Sequence, residues 1–500
     1  MANSASTLHD LAAVVSGDVE SAADPTSVRI HDVTHDSRQA GEGALFVAIR
    51  GSAVDGHVFV PEAIARGVAA VCVDRRLTTD VAQLIVDNTR SALGPLAAAV
   101  HHHPSHEMTV VGVTGTNGKT TVTHYIESLA SHAGVSTGLI GTINIKIGGT
   151  TLDAIHTTPE ASDFQRLLAA MRDSGTTLVA AEVSSHALEM GRVAATEFAV
   201  AGFTNLSQDH LDFHGDMDRY LSAKRRLFNE FDVATAVINV DDPAGVLIAE
   251  SFSGDVVTVG RDAQCRHSNA RSSVDGTEFR LDTPWGGAQV SAPVIGRFNL
   301  DNTLLAIACS LAAGVPFDDV TNGLPELAGV PGRYEVVSGD DPITVIVDYA
   351  HTPDAIDKLL ATLRPLARGR LIAVFGCGGD RDRGKRPLMA KAVAHWSDRI
   401  VATSDNPRTE DPLQILKDVE EGLTELQRVD AESLEHTDGS YAMIPDRRRA
   451  IEVAIGIAKP ADMVVIAGKG NEDYQIVGRQ KLPFSDRDEA QRALNEGAKA

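Results

Sequence analysis

The chain has 500 residues, 43% of them hydrophobic and 4% aromatic, and a formal net charge of −23. At about 100–200 residues per domain, that length suits three domains with mostly aliphatic cores. The acidic balance, with no local basic patch to offset it, excludes nucleic acid as a partner. No apolar run approaches the roughly 18 residues that span a bilayer. No Lys or Arg precedes Arg29, so a secretory n-region is missing. Cys72, Cys265, Cys309 and Cys377 are scattered without a C-x-x-C pair, against a zinc ribbon or a disulfide framework. A soluble cytoplasmic monomer is the expectation, with no membrane insertion.

Taken in chain order, residues 1–105 alternate short apolar runs with helical stretches. Ala44–Ile49 and Ala69–Val73 read as strands and Ser91–His102 as a helix. The polar break His101–His106 marks a boundary; three adjacent histidines can bind metal, but in a turn they are more often solvated. From 108 onward, apolar runs recur at Thr109–Val113, Val135–Ile140, Thr177–Ala181, Phe198–Phe203 and Ala234–Val240, with helical patterns between several of them. That is the signature of a parallel sheet covered by helices on both faces. A hairpin-like piece follows at Arg271–Val294, with turn signals at Asp275-Gly276 and Gly286-Gly287, then a helix near Leu300–Ala313. A second break lies at Gly329–Arg333. Beyond it Thr344–Val347, Leu371–Phe375, Arg399–Thr403 and Met463–Ala467 read as strands of another α/β unit. The division expected is 1–105, 106–332 and 333–500.

The most informative stretch is Thr114-Gly115-Thr116-Asn117-Gly118-Lys119-Thr120-Thr121, between a strand and a helix. A glycine-rich turn there exposes backbone N–H groups and a helix N-terminus, which together hold phosphate. Lys119 would reach the terminal phosphates and the Thr120 hydroxyl would join Mg²⁺. The match to the general P-loop is imperfect, because Val113 stands where that pattern has its first glycine. Glu182 ends an apolar strand one strand–helix unit downstream, where a nucleotide's Mg²⁺ is held; alone, it would read as a solvated strand end. Asn205–Gly215 is dense in polar ligands after another strand, and His210 there could coordinate a cation. Lys224 reads from its surroundings as a solvated helix lysine.

These stretches occur in order with Glu182-Val183-Ser184-Ser185-His186, Asn205–His210, Gly296–Asn302 and Asp348-Tyr349-Ala350-His351-Thr352-Pro353-Asp354. Together they resemble the Mur ligase family of peptidoglycan synthesis across essentially the whole chain. Within it, the chain is similar to the members that act on UDP-N-acetylmuramoyl-L-alanyl-D-glutamate and add the third stem residue. The resemblance implies an N-terminal α/β UDP-binding domain, a central P-loop ATPase with a mostly parallel sheet, and a C-terminal Rossmann-like domain. It implies that Lys224 is carbamylated and joins Thr120, Glu182 and His210 around Mg²⁺. A carbamate turns a cation into an oxygen ligand, which suits Mg²⁺. ATP would be held by Gly115–Thr121, Asn299, Asn302, Arg333, Asp348 and His351. Ser37, and Ser52, Ala53 and Val54 in a second loop, resemble the uridine contacts. Thr157, Thr158, Ser184, Arg192 and Lys224 resemble those to the muramoyl peptide. Members often carry glutamine where this chain has Met190, and a thioether cannot replace an amide's hydrogen bonds.

Asp405-Asn406-Pro407-Arg408 follows a strand, so Asn-Pro turns the chain and Arg408 projects from a rigid loop. A guanidinium pairs bidentately with carboxylate. meso-Diaminopimelate differs from lysine by one distal carboxylate, so Arg408 favours it and repels a lysine ammonium. Asp-Asn-Pro-Arg also looks like the signature of diaminopimelate-adding members. By resemblance Arg381 is a second arginine on the acceptor, with Gly468 and Glu472 the remaining contacts and Glu472 receiving the distal ammonium. The implied reaction is amide formation through an acyl phosphate, with ATP consumed. A folylpolyglutamate-synthase-like ligase is the nearest rival, disfavoured by the acceptor-arginine loop. A GTPase-like switch needs an Asn-Lys-x-Asp reader, and this chain has no Asn-Lys dipeptide.

Overall fold

The structure, a computed structural model, describes residues 6–51, 54–273, 276–338 and 342–497. Ser52, Ala53 and Asp275 lie outside the described residues. The main sheets are laid down one after another along the chain. The first has five strands in the order Asp18–Glu20, Ala82–Ile85, Ala70–Val73, Ala44–Val47, Asp32–Thr34, parallel except for Asp18–Glu20.

The second sheet has eight strands. Six are parallel, in the order Thr137–Ile140, Leu178–Glu182, Thr109–Thr114, Phe198–Phe203, Val233–Asn239, Asp255–Val259. Their near-continuous apolar composition matches burial on both faces. An antiparallel hairpin, Asn144–Ile147 with Thr150–Asp153, extends one edge. The sequence pattern passes over this hairpin, because its strands are short, only Ile145 of them is buried and Thr150–Asp153 is exposed throughout. The hairpin-like region is a three-stranded antiparallel sheet, Arg266–Ser273, Gly276–Thr283 and Gly286–Ala292.

The third sheet has seven strands. Its parallel centre runs Thr344–Asp348, Met463–Ala467, Leu371–Cys377, Arg399–Ser404, Ser440–Met443. Parallel strands in register bring their carboxyl ends together, and ligands of open α/β sheets bind beyond those ends. In the central sheet Glu182 pairs with Val113 and Phe203 with Thr114, so the glycine-rich loop lies between Glu182 and the Thr204–His210 segment. In the third sheet Asp348 pairs with Ala467 and Cys377 with Ser404, which gathers the starts of four loops at one edge.

Arg447 and Asp486 form a fully buried ion pair, 2.6 Å apart. The same guanidinium donates to the carbonyls of Ser404 and Ala467, the last residues of two of those strands. Removing one partner of such a pair leaves a buried uncompensated charge. Asp486→Ala should therefore cost about 3–5 kcal/mol, read as a lower urea midpoint for the C-terminal unit; an unchanged midpoint would contradict this.

Candidate active site

The glycine-rich loop is shaped by close approach. Gly115 (φ +145°) and Gly118 (φ +89°) sit where a Cβ would lie 1.8 Å from Thr204 Oγ1 and 2.3 Å from Asn302 Oδ1, so no side chain fits at either place. Asn205 fastens the loop from the neighbouring strand end. Its Oδ1 accepts from Asn117 N–H at 3.1 Å and its Nδ2 donates to Asn117 O at 3.1 Å. The helix Lys119–His132 starts directly behind, its N-terminus facing the loop.

Lys119 Nζ donates to the carbonyls of Gly115 and Thr116, both at 2.9 Å. Lys224 Nζ donates to the same Gly115 carbonyl at 2.7 Å and lies 4.3 Å from the Tyr220 ring centroid. The exposed helix lysine read from local sequence is instead 1% exposed, because the helix Met217–Asn229 packs that face behind the loop. Burial pushes the Lys224 ammonium well below the ordinary lysine value, and the charge on Lys119 adds to the shift. Burial also lowers Lys119, with Glu182 and Asp209 opposing.

Glu182 is fully buried. It accepts from Thr120 Oγ1 at 2.9 Å, from Thr142 N–H at 2.7 Å and from Thr142 Oγ1 at 3.1 Å. Thr142 has no motif in the sequence; it reaches Glu182 through the fold, from the start of the edge hairpin. The Thr120 hydroxyl and Glu182 carboxylate offer the hard oxygens that Mg²⁺ prefers, and all of Glu182's partners here are neutral. His210 faces Asp209 at 3.4 Å and packs edge-on against His186 at 4.7 Å between centroids. Among the described residues no three His, Cys, Asp or Glu side chains are gathered as a metal set.

Most of these groups open onto a cavity of 1220 Å³ between the central and C-terminal units, which Gly115, Tyr220 and Lys224 do not line. Thr116–Thr121, Asn299 and Asn302 line it from one side, and Arg333, Asp348 and His351 from the other. Arg333 stacks 4.3 Å over the Tyr349 ring. Asp348 accepts from the N–H groups of Tyr334 and Ala350 at 2.9 and 2.7 Å, while burial raises its pKa. Asn117 Nδ2 reaches Asp354 Oδ2 at 3.2 Å, joining the loop to the C-terminal unit.

Thr157, Thr158, Ser184 and Arg192 line the same cavity, as does Met190. Arg192 is held by Glu160 at 3.0 Å and by the Thr158 carbonyl at 3.0 Å. Met190 Sδ lies 4.0 Å from that guanidinium. Arg192 Nε and Arg333 Nε are buried donors without hydrogen-bond partners among the described residues. A buried unpaired N–H carries a desolvation penalty, which an anionic ligand would relieve. Ser37 and Val54 are not brought to this cavity: Ser37 donates to Glu62 at 2.9 Å, and Val54 is exposed on the N-terminal unit.

A second cavity, of 160 Å³, adjoins the first. Arg381, Asp405, Asn406, Arg408, Gly468 and Glu472 line it; Pro407 only turns the loop. Asp209, His210, Tyr349, His351 and Arg381 line both cavities. Arg408 adopts φ +51° and is pinned by pairing with the hairpin Tyr474–Val477/Gln480–Pro483: its N–H donates to Ile476 O at 3.0 Å, and Gly478 N–H donates to its carbonyl at 2.7 Å. Glu472 is already engaged, accepting from Lys469 at 2.7 Å and Asn406 Nδ2 at 2.8 Å. Lys469 escaped the sequence reading, which took only its neighbours Gly468 and Glu472 as contacts.

Comparison with known proteins places each part of the chain. Residues 29–102 match the Mur ligase family catalytic domain, 113–310 the Mur ligase middle domain, and 332–470 the Mur ligase glutamate ligase domain. A protein of Geobacillus kaustophilus named UDP-N-acetylmuramoyl-L-alanyl-D-glutamate--2,6-diaminopimelate ligase is 45% identical over 470 residues, covering 92% of this chain and 94% of that protein. A Gloeobacter violaceus protein of the same name is 46% identical over 495 residues, with 98% of each covered. A solved structure of a ligase of that name superposes with TM-score 0.69 at 32% identity, over 99% of both chains.

The histidines of the site titrate low. Burial brings the His186 imidazole from 6.5 to about 4, and His214 adds to the shift. Between pH 6.5 and about 4 the unfolded chain binds a proton on this ring that the folded chain does not. Stability is therefore lost as pH falls through that window and recovered as it rises. A His186→Gln variant should show a shallower fall in urea midpoint over the same range. Parallel curves for variant and parent would show that His186 is not the source.

Proposed function

This chain belongs to the Mur ligase family, and we propose that it joins meso-2,6-diaminopimelate to the D-glutamyl γ-carboxylate of UDP-N-acetylmuramoyl-L-alanyl-D-glutamate. ATP is the co-substrate, and ADP and phosphate are the other products, in peptidoglycan precursor synthesis. The observation that carries this reading is the joined pair of cavities: a glycine-loop cradle in one, Arg381 and Arg408 with Asp405 and Glu472 in the other, and a shared wall. The names of the relatives support the choice of acceptor. We assign residues 1–105 to a UDP-binding domain, with Ser37, Val54 and the undescribed Ser52 and Ala53 as uridine contacts. Residues 106–332 form the ATPase domain and 333–500 the acceptor domain. Among the described residues no helix is long and apolar enough to cross a membrane; we place the enzyme in the cytoplasm as a monomer.

The first step brings two anions together, the γ-carboxylate and the γ-phosphate. Loop N–H groups and Lys119, released from its carbonyl contacts, would hold the phosphates and stabilise charge on the transferring group. Thr120 and Glu182 fit Mg²⁺ by their oxygen chemistry, and we assign the further positions to His210 and carbamylated Lys224. The ion, when bound, would neutralise phosphate charge. Lys224 favours its own modification: a buried amine whose proton is weakly held is the nucleophile that adds CO₂. The carbamate would replace a repelled ammonium by an anion beside Lys119.

Arg192, Thr157, Thr158 and Ser184 would orient the donor peptide, with Arg192 Nε as an open donor. Asn299, Asn302, Arg333, Asp348 and His351 would surround the nucleotide, Arg333 contributing from the C-terminal side. The acyl phosphate forms where the two cavities meet. The acceptor's amine, placed near that junction by Arg381 on the neighbouring carboxylate, attacks its carbonyl, and the tetrahedral intermediate collapses to amide and phosphate. Water must be kept from the acyl phosphate.

Phosphate release with the muramoyl dipeptide nucleotide, ATP and either meso-diaminopimelate or lysine tests the reading. Release should depend on the diaminopimelate arm; equal rates with lysine would overturn the choice of acceptor. Lys119→Ala should lower kcat for ADP formation by at least ~100-fold through loss of a phosphate-facing cation. Normal turnover in that variant would remove the cradle from the mechanism.

A further inference from the structure

Behind the wall of the acceptor cavity lies a cation that this reaction scheme does not use. Lys469 is fully buried. Its ammonium lies 2.7 Å from Glu472 Oε2, 3.3 Å from Asn406 Oδ1 and 3.7 Å from Asp405 Oδ1. Asn406 Nδ2 donates to that same Glu472 oxygen, and its own Oδ1 also accepts from Ile476 N–H at 2.8 Å. One oxygen of Glu472 is thus fully committed inside the protein. Asp405 Oδ1, by contrast, is buried with no hydrogen-bond partner among the described residues. On the floor at this end Asp405 and Glu472 share the one ammonium of Lys469, which leaves that trio one carboxylate in excess; Asp209, Asp212, Asp382 and Lys385 line the cavity elsewhere. Arg408 stands across the same cavity.

We propose that Lys469 is a specificity-determining residue, which fixes Glu472 and limits the floor to the one counter-charge that a zwitterionic acceptor terminus needs. This rests on the functional reading above. The distal end of meso-diaminopimelate carries one ammonium and one carboxylate. The ammonium meets the open acceptor of Asp405 and the free oxygen of Glu472, and the carboxylate meets Arg408. A floor with two uncompensated carboxylates would repel that carboxylate and attract a bare ammonium. Lysine ends in just such an ammonium, so the internal cation works with Arg408 in turning lysine away. Arg408 supplies attraction to the right acceptor, and Lys469 removes attraction to the wrong one.

The test compares kcat/KM for meso-diaminopimelate and lysine in the parent and in Lys469→Met, with KM for ATP and for the nucleotide donor measured alongside. The expected result is a discrimination ratio at least ~10-fold smaller, with KM for diaminopimelate raised and the other two KM values within about threefold. A folded variant that keeps the parent's ratio overturns the proposal, as does one that loses both acceptors equally. If Lys469→Met does not fold, Lys469→Gln removes the charge while keeping a hydrogen-bond donor for Glu472. That variant should show the same narrowed ratio, and an unchanged ratio overturns the proposal equally. The parent arm separates the two claims: an unmodified enzyme that releases no phosphate with diaminopimelate defeats the functional reading itself.

Discussion

Two ammonium groups converge on one carbonyl oxygen, that of Gly115. Water cannot screen charges buried behind a glycine loop, so this convergence is tolerable only if one lysine gives up its proton or an anion comes to meet them. Both outcomes point the same way. Lys224 is the more deeply placed and its proton is weakly held; Lys119 faces the cavity that phosphate would enter. The fold creates this constraint. The parallel register sets the loop between the ends of two neighbouring strands, and the helix carrying Lys224 closes over it from behind. Glycine at 115 and 118 is required by the same crowding, since Thr204 and Asn302 occupy the space where side chains would go.

The C-terminal unit repeats the device with the charges reversed in emphasis. Four strand ends carry Asp348, Cys377, Ser404 and Ala467 to one edge, and Arg447 ties two of them together from below. The loops that leave this edge supply arginines at the rim and carboxylates at the floor. Arg333 and His351 reach back to the larger cavity, and Asp354 touches the glycine loop directly. The two chemistries, activating an acid and presenting an amine, therefore share residues instead of merely facing one another. A small shift of the C-terminal unit would alter both cavities at once.

The parallel α/β architecture was legible because buried parallel strands are continuous apolar runs, and the glycine loop because its residue types have few other uses. The short strands Asn144–Ile147 and Thr150–Asp153 left no such trace, since Ile145 is the one buried residue between them. Lys224 was misread from its own helix, where Lys-Arg-Arg suggests a wet face; burial there is decided by a loop more than 100 residues away. Thr142 and Lys469 were missed for the same reason. Each serves a carboxylate through a contact that only the folded chain creates. The resemblance supplied the role of Lys224, and the structure supplied a physical ground for it.

Met190 shows how a departure from a family pattern can be absorbed. An amide at that position could hydrogen-bond to the donor peptide or to Arg192, and the thioether makes only a weak contact with the guanidinium. The guanidinium does not depend on that contact, because Glu160 and the Thr158 carbonyl each hold it at 3.0 Å. Arg90 strengthens the arrangement from the N-terminal unit, reaching Glu160 at 3.2 Å and the Met190 carbonyl at 3.4 Å. The orientation of Arg192 is thus set by an ion pair and a carbonyl bond that do not involve the side chain at 190. What the thioether lacks is one hydrogen-bonding group, and Arg192 Nε stays a buried donor without a partner among the described residues.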